Sequence, residues 1–186
     1  MRRLFDISMA LAVLPVALII SVICALVILG ETRGNPLFIQ IRVGRYQKLF
    51  SLIKLRTMKL STGDHPSHVV APTQITKVGR FLRRTKLDEL PQIWNVLRGD
   101  MAFVGPRPCL PTQIELINER VERGVYCLRP GITGPAQLAG IDMSMPRELA
   151  EIDAAYLNNQ SFKGDLRLML VTVLGRGAGD AIGSAS

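Results

Sequence analysis

The chain has 186 residues, which is enough for one folded core and a short additional segment. Its formal net charge of +8 is concentrated in residues 31–107, which carry +9, whereas residues 1–30 carry +1 and residues 108–186 carry −2. A basic middle segment favours an anionic partner such as a phosphate-rich substrate, acidic lipid headgroups or nucleic acid. Aromatic residues make up only 5% of the chain, and this scarcity of stacking surfaces argues against single-stranded nucleic acid.

The first thirty residues contain a nearly continuous apolar stretch from Ile7 to Leu29, long enough to cross a bilayer as one helix. Two features favour a re-entrant helix, which enters the membrane and returns to the same side. Basic residues flank both ends of the stretch, and such residues mark the cytoplasmic side. Pro15, preceded by Leu14, lies near the middle, where proline removes a hydrogen bond and bends a helix. Residues 1–30 are therefore predicted to be a membrane anchor, with the spanning and re-entrant courses both open.

Residues 31–174 are predicted to form one soluble domain. After residues 35–40, strand-like sequence occurs around residues 49–53. The polar segment 61–72, which contains His65 and His68, is predicted to be a loop. A short basic helix is predicted from Val78 to Arg84, with Val78, Phe81 and Leu82 on its apolar face. Residues 175–186, rich in Gly, Ala and Ser, are predicted to be a disordered tail.

Two amphipathic segments are predicted in the last third of the chain. In residues 110–121 one face is apolar and the opposite face is polar. The apolar face consists of Leu110, Ile114, Ile117 and Val121, and the polar face of Glu115, Glu119 and Arg120. Residues 166–174 are mostly apolar but too short to span a bilayer. Either segment could pack on the core or lie on a membrane interface, and core packing is the default expectation.

The strongest candidate for chemistry is the acidic pair Asp88–Glu89, which precedes Pro91. Proline is tolerated only in the first turn of a helix, so Pro91 places the pair at a helix N-terminus. Free backbone N–H groups and the helix dipole suit such a terminus to phosphate. An Asp held ionised there can act as a nucleophile or as a Mg²⁺ ligand. The alternative is that the acidic residues only cap the helix, with Thr85 and Asp88 as a capping box.

Basic residues on both sides of the pair favour the chemical interpretation. The preceding ones are Arg80, Arg83, Arg84 and Lys86. Arg107 follows between two prolines, which restrict its backbone and orient its guanidinium for bidentate contact with phosphate. The alternative interpretation of Arg107 is an ordinary arginine in a surface turn.

Together with other short motifs, these residues resemble the small monotopic phosphoglycosyl transferases, also called bacterial sugar transferases. The matching motifs are Arg2-Arg3-x-Phe5-Asp6, Gln40-x-Arg42-x-Gly44, Lys54-x-Arg56-Thr57-Met58, Thr76-Lys77-Val78-Gly79-Arg80-Phe81-Leu82-Arg83, Leu87-Asp88-Glu89-Leu90-Pro91-Gln92, Gly99-Asp100-Met101, Val104-Gly105-Pro106-Arg107-Pro108 and Arg129-Pro130-Gly131-Ile132-Thr133-Gly134. They extend from residue 2 to about residue 170 in the family's order, and the ordered set is highly specific.

The resemblance implies transfer of a sugar-1-phosphate from a UDP-sugar to polyprenyl (undecaprenyl) phosphate, with release of UMP. This reaction would begin assembly of a bacterial surface glycan such as a lipopolysaccharide or an exopolysaccharide. Asp88 is the implied nucleophile, which forms an aspartyl-phosphosugar, and Asp88 and Glu89 form the catalytic dyad and hold the cofactor Mg²⁺. The implied phosphate-binding residues are Arg83, Arg107 and Lys54.

The resemblance also implies a fold and a location. The expected fold is mainly α with a small β element (α+β). It is a monotopic membrane protein with an N-terminal re-entrant helix and amphipathic interface helices. The expected location is the inner (cytoplasmic) membrane of a bacterium, with residues 31–174 as a catalytic domain on the cytoplasmic face. Membrane lipid is then a partner and nucleic acid is not, while monomer and homodimer both stay open.

The chain departs from the family pattern at two places. Leu14 precedes the anchor proline where family members often have Ser, which leaves the sharpness of the bend open. Gly140-Ile141-Asp142 replaces a Gly-Arg-Asn run, so the transferred sugar is not inferred from any one relative. The alternative function is a membrane-tethered basic module that binds acidic lipid or nucleic acid without catalysis. A third interpretation is a transferase with a membrane acceptor other than polyprenyl phosphate.

Overall fold

The computed structural model describes residues 2–60 and 72–174. Its helices and strands are α1 (Arg2–Glu31), β1 (Leu37–Val43), β2 (Leu49–Leu55), α2 (Lys77–Thr85), α3 (Gln92–Arg98), β3 (Ala102–Val104), α4 (Ile114–Glu122), β4 (Gly131–Thr133), α5 (Pro135–Ala139), α6 (Pro146–Asn158) and α7 (Phe162–Val173). The expected fold class, mainly α with a small β element, is confirmed. The predicted tail and nearly all of the predicted loop 61–72, with both histidines, lie outside the described residues.

The helix α1 is continuous through Pro15. Within the described residues it is the one helix that is long and apolar enough to cross a membrane, by length and composition. Its buried residues lie at intervals of four and seven, so they share one face: Asp6, Ala10, Ala17, Cys24 and Ile28. Large aliphatic side chains from Leu4 to Leu29 are exposed elsewhere on the helix. This apolar surface fits association with a membrane, and the re-entrant course stays a prediction.

Both ends of α1 contact the same domain. At the N-terminal end, the guanidinium of Arg3 donates hydrogen bonds to the carbonyl oxygens of Val96 (2.6 Å) and Leu97 (3.0 Å), in the last turn of α3. At the C-terminal end, the carboxylate of Glu31 accepts hydrogen bonds from the first backbone N–H groups of α2. Each contact satisfies groups that a helix end leaves free. The contacts therefore attach the two ends of α1 to neighbouring helices of one domain.

The antiparallel strands β1 and β2 form a hairpin whose inner side contributes to the core. The register runs from Leu37 opposite Leu55 to Val43 opposite Leu49. The core cluster on this side combines β2 with both halves of α1 and with α3: Ala10, Ala17, Phe50, Leu52, Ile93, Val96 and Met101. The hairpin thus links α1 to the rest of the domain.

The outer edge of β2 is covered by a side chain instead of a third strand. Asn95 is fully buried in α3. Its Oδ1 accepts the backbone N–H of Ile53 at 3.1 Å, and its Nδ2 donates to the carbonyl oxygen of Ser51 at 2.7 Å. The amide therefore satisfies backbone groups that a strand edge would leave unpaired.

The helix α2 confirms the predicted basic helix and extends it by one residue at each end. A Cβ on Gly79 would lie 2.0 Å from the carbonyl oxygen of Thr57, so only glycine permits this close approach of α2 to the chain after β2. The prediction was wrong for Phe81, which was assigned to the apolar face but is 51% exposed. The part of α2 that is buried consists of Gly79 and Leu82.

The apolar face predicted for residues 110–121 was only partly right, because Leu110 is buried and Ile117 packs against the core. Ile114 and Val121 are exposed, whereas Arg120, assigned to the polar face, is 2% exposed. The Nε and Nη2 atoms of Arg120 donate to Asp153 Oδ2 of α6 at 2.9 and 2.7 Å. This hydrogen-bonded ion pair satisfies the charge of Arg120 in the interior, where the neighbouring Leu116 packs in the core.

The helix α7 follows the default expectation of core packing only in part, since it contacts β3, β4 and α5 but leaves apolar residues exposed. Asp165 is its buried residue, whereas Leu166, Leu170 and Val173 are exposed. The carboxylate of Asp165 accepts a hydrogen bond from the hydroxyl of Tyr156 at 2.8 Å. The apolar residues of α7 fit the other predicted alternative, a helix on a membrane interface.

Candidate active site

The acidic pair lies in the 3₁₀ turn Leu87–Glu89, between α2 and α3. Lys86 ends α2 with a left-handed backbone (φ +57°). The helix α3 begins only at Gln92, with Pro91 as its N-cap. The pair was predicted at the N-terminus of this helix, and it lies one 3₁₀ turn before the helix begins, outside the helix itself.

Hydrogen bonds within the turn explain the difference. The backbone N–H of Glu89 donates to the carbonyl of Lys86, and the N–H of Leu90 donates to the carbonyl of Leu87. These N–H groups are consequently not free for a phosphate. The capping-box alternative was wrong, because Lys86 is the N-cap and the hydroxyl of Thr85 donates backwards into α2.

The carboxylate of Glu89 lies between two cations. Its Oε1 is 3.1 Å from the Nζ of Lys54 at the end of β2, and 3.6 Å from the Nη2 of Arg107. The three side chains are mostly buried and line one small cavity. The other residues that line it are Arg42, Leu52, Gln92, Pro108, Gly131 and Ile132. The structure therefore brings together two predicted phosphate-binding residues and one member of the dyad.

Asp88 and Arg83 occupy different positions from the residues of this cavity. Asp88 is buried, with 4% of its surface exposed, and it is not among the residues that line the cavity. The Nε of Arg83 donates to Thr57 Oγ1 at 2.8 Å, and Arg83 does not line the cavity either. The predicted set is therefore divided between a cavity that contains Glu89 and a buried neighbourhood that contains Asp88.

A buried ion pair supports the loop that carries Arg107. The Nη1 of Arg120 donates to the carbonyl oxygen of Arg107 at 2.9 Å, while its other nitrogens bind Asp153. Burial opposes the charge of Arg120, but the carboxylate of Asp153 outweighs it and raises the pKa of Arg120 above its usual value. The guanidinium thus stays charged and positions the backbone of Arg107.

Several of these residues were not predicted as site residues. Arg120 could not be recognised from the sequence as a site residue, because its spacing placed it on the polar face of an amphipathic helix. Asp153 was not singled out at all. Arg42 was considered only as a basic residue after the anchor and as part of a family motif, and its Nη1 donates to the carbonyl of Pro108 at 3.0 Å. The alternation of side chains along a strand places Arg42 on the same face of β1 as Gln40, and that pattern could have identified it.

The acidic residues of the site are candidate ligands for a metal ion. Among residues 2–60 and 72–174, no group of three or more His, Cys, Asp or Glu is placed to hold one. Mg²⁺ needs fewer protein ligands, because one or two carboxylates suffice when substrate phosphates and water complete its shell. Asp88 and Glu89 are carboxylates of the kind that Mg²⁺ prefers, but in the structure Glu89 lines the cavity and Asp88 does not.

Comparisons with known proteins agree with the sequence motifs. The family model described as bacterial sugar transferase matches residues 1–176. EpsL, an uncharacterized sugar transferase of Bacillus subtilis, is 36% identical over 174 residues, which cover 93% of this chain and 85% of EpsL. The UDP-glucose:undecaprenyl-phosphate glucose-1-phosphate transferase of Caulobacter vibrioides is 35% identical over 182 residues, which cover 92% of this chain and 68% of that protein.

Some relatives are much longer than this chain. The galactosyl transferase CpsE of Streptococcus agalactiae is 33% identical over 198 residues, which cover 95% of this chain but only 43% of CpsE. The chain therefore spans less than half the length of this relative and corresponds to one part of it.

Proposed function

Because the chain belongs to the bacterial sugar transferase family and is a transferase, we propose that it transfers a sugar-1-phosphate from a UDP-sugar to polyprenyl phosphate. The main support for this proposal is the match of the family model to residues 1–176. The cavity supports it, because Lys54 and Arg107 offer two cations to a phosphate beside the acidic pair. Nothing in the comparisons supports the alternative of a binding module without catalysis.

In the first step, Asp88 acts as the nucleophile. A carboxylate oxygen of Asp88 forms a bond to the β-phosphorus of the UDP-sugar. The bond from that phosphorus to the bridging oxygen breaks, and UMP leaves with the electron pair. The product is an aspartyl-phosphosugar, which divides one difficult transfer into two easier ones. Because Asp88 is buried in the structure, this step requires the turn to expose Asp88 when the substrate binds.

In the second step, polyprenyl phosphate replaces Asp88. A phosphate oxygen of the lipid forms a bond to the same phosphorus, the bond to the Asp88 oxygen breaks, and the carboxylate is restored. Lys54 and Arg107 stabilise the negative charge that spreads over the phosphoryl oxygens in both steps. Glu89 holds these two cations in position before the substrate arrives.

Mg²⁺ would be held by Asp88 and Glu89 with the substrate phosphates. When bound, it neutralises phosphate charge and orients the diphosphate for displacement. Glu89 therefore has two proposed contacts, with the cations of the cavity and with the metal.

The proposed location is the cytoplasmic face of the inner membrane, with α1 re-entrant. The motive is that both ends of α1 contact the same domain through Arg3 and Glu31. An N-terminal tag with one cysteine, in a Cys127→Ser background, should resist an impermeant thiol reagent in intact cells and react after permeabilisation. Reaction of the tag in intact cells would contradict the re-entrant course.

The nucleophile is tested by trapping the intermediate. Wild-type protein given UDP-sugar and Mg²⁺ without lipid acceptor should release up to one equivalent of UMP. It should also gain the mass of a sugar phosphate on the peptide that contains Asp88. Asp88→Asn should lose both signals and several orders of magnitude of turnover, more than the roughly 10²–10³ that one electrostatic contact supplies. Glu151→Gln, which removes an exposed carboxylate from α6, is the matched control.

Three outcomes separate the mechanisms. Normal turnover by Asp88→Asn would rule out Asp88 as the nucleophile. An adduct on Glu89 would show that Glu89, which lines the cavity, is the nucleophile. Rapid turnover by the wild type with no adduct at any time would indicate direct attack by the lipid phosphate, with Asp88 as a metal ligand only.

A further inference from the structure

A second cavity, of about 240 Å³, lies at the N-terminal end of α1 and shares no residue with the cavity around Glu89. Its charged residues come from α1, from the segment after β1, from the segment before β4 and from α7. They are Arg2, Arg3, Arg45, Arg129, Asp6 and Asp165. Four arginines and two carboxylates give the lining a formal charge of +2, which suits an anionic ligand.

Two of these arginines are held in place but keep donors for a ligand. The Nε of Arg45 donates to the carbonyl oxygen of Cys127 at 2.8 Å, and the Nε of Arg129 donates to the carbonyl oxygen of Gly99 at 2.9 Å. Within the described part of the chain, no hydrogen bond occupies the Nη groups of either residue. Each guanidinium is therefore fixed through one nitrogen, and its terminal N–H groups match the oxygens of a phosphate.

The electrostatic surroundings of Arg129 agree with an excess of positive charge. Burial lowers the pKa of Arg129, and the neighbouring charges of Arg45 and Arg3 lower it further. Arg2 already forms an ion pair with Asp165, and Arg3 already donates hydrogen bonds to carbonyl oxygens at the end of α3. An anion between Arg45 and Arg129 would relieve this repulsion.

Apart from Gln160 and Tyr156, most of the rest of the lining is apolar. Phe5 of α1 and Phe162 of α7 meet edge to face with ring centroids 4.9 Å apart, and both line the cavity together with Met169. Exposed leucines lie on the same two helices, Leu4 on α1 and Leu170 on α7. The ligand that matches this arrangement has an anionic group for the arginines and an apolar chain for the two helices.

We propose that this cavity binds the phosphate of an anionic membrane lipid, whose apolar chain lies along the exposed residues of α1 and α7. The lipid phosphate would join Arg45 and Arg129 to the N-terminal end of α1, and so fix the helix on the domain. The inference rests on the membrane association in the proposed function, but it does not depend on the role of Asp88.

Native mass spectrometry of the full chain in uncharged detergent micelles tests this site. During titration with phosphatidylglycerol, the wild type should retain one lipid. Arg45→Gln and Arg129→Gln should each require about tenfold more lipid, because each loses charge-assisted hydrogen bonds. Arg147→Gln, which removes an exposed arginine of α6, should behave like the wild type. Thermal unfolding checks the fold of each variant, and Arg45→Gln suffices if Arg129→Gln does not fold.

Parallel titrations identify the ligand. Polyprenyl phosphate retained at lower concentration than phosphatidylglycerol would identify the acceptor lipid as the source of the phosphate, and the reverse order would identify bulk membrane lipid. Unchanged retention by Arg45→Gln overturns the proposal, as does equal retention of phosphatidylcholine. If an equal concentration of inorganic phosphate displaces the lipid, the apolar chain does not contribute to binding, and that part of the proposal is overturned. Asp88→Asn should lose turnover and keep the lipid, so the two proposals can fail separately.

Discussion

Replacing Arg120 by methionine removes one half of the buried ion pair that positions Arg107. The side chains of Arg120 and Asp153 are each 2% exposed, and their nitrogen and oxygen atoms approach to 2.7 Å. Methionine has a similar length but no charge, so the carboxylate of Asp153 stays buried without its partner. The variant therefore tests stability and activity at the same time.

The expected losses follow from this geometry. Breaking a buried ion pair costs about 3–5 kcal/mol of unfolding free energy. For a chain of this size, that corresponds to a fall in Tm of roughly 6–20 °C. Arg120→Met also removes the donor to the carbonyl oxygen of Arg107. A displacement of about 1 Å in a catalytic group can cost on the order of 10² in rate, so we expect a decrease in kcat of that size.

The double variant Arg120→Met/Asp153→Leu separates the two effects. Replacing both charges by apolar side chains is often neutral for stability, so most of the lost Tm should return. The donor to Arg107 is still absent, so kcat should stay low. Thermal unfolding in detergent and UMP release by the folded fraction are the two measurements. Arg123 caps the end of α4 and forms partly exposed pairs with Glu119 and Glu151. Arg123→Met should therefore cost about 1 kcal/mol or less.

Full turnover by the double variant would refute the positioning role, because activity would then follow stability alone. An unchanged Tm in Arg120→Met would refute the burial argument itself. The two results are independent, since one concerns the backbone of Arg107 and the other the charge of Asp153.

Two further predictions concern other contacts. Arg107→Lys should lose most turnover although the charge is kept, because an ammonium cannot make the planar bidentate contact of a guanidinium. Near-normal UMP release by this variant would show that Arg107 contributes only its charge. Asn95→Leu should lower the unfolding free energy by about 2–4 kcal/mol, because the N–H of Ile53 and the carbonyl of Ser51 lose their partner. Chemical denaturation measures this loss, and a change below about 0.5 kcal/mol would show that another group or water satisfies the edge of β2.

Local features of the sequence were sufficient for some of the elements and for the family, but they did not predict α5, α6, β3 or β4. The apolar stretch Ile7–Leu29 predicted α1, and the spacing of apolar and basic residues predicted α2. Both depend on interactions between neighbours along the chain, which sequence spacing records directly. The ordered motifs identified the family and drew attention to Lys54 and Arg107. The sequence therefore sufficed for the family and for its class of enzyme, while the roles of the candidate residues stay predictions.

The tertiary structure decided which of these residues meet. Lys54 and Glu89 are 35 positions apart, and they are brought together because β2 and the turn before α3 pack on one another. Glu89 lines the cavity whereas Asp88 is buried. This difference also depends on how neighbouring elements pack against the turn Leu87–Glu89. Neither result can be read from spacing, since spacing determines only which residues share a face of one element.

Arg120 shows the same limit most clearly. Its spacing places it with Glu115 and Glu119 on the polar face of an isolated helix, and α4 would expose it if nothing covered that side. In the fold α6 covers it and provides Asp153, and the carbonyl of Arg107 accepts its third hydrogen bond. A buried charge is stable only where such partners converge. The sequence alone determined that Arg120 is a cation on a helix, and only the packing of α4 against α6 decided that it faces inward.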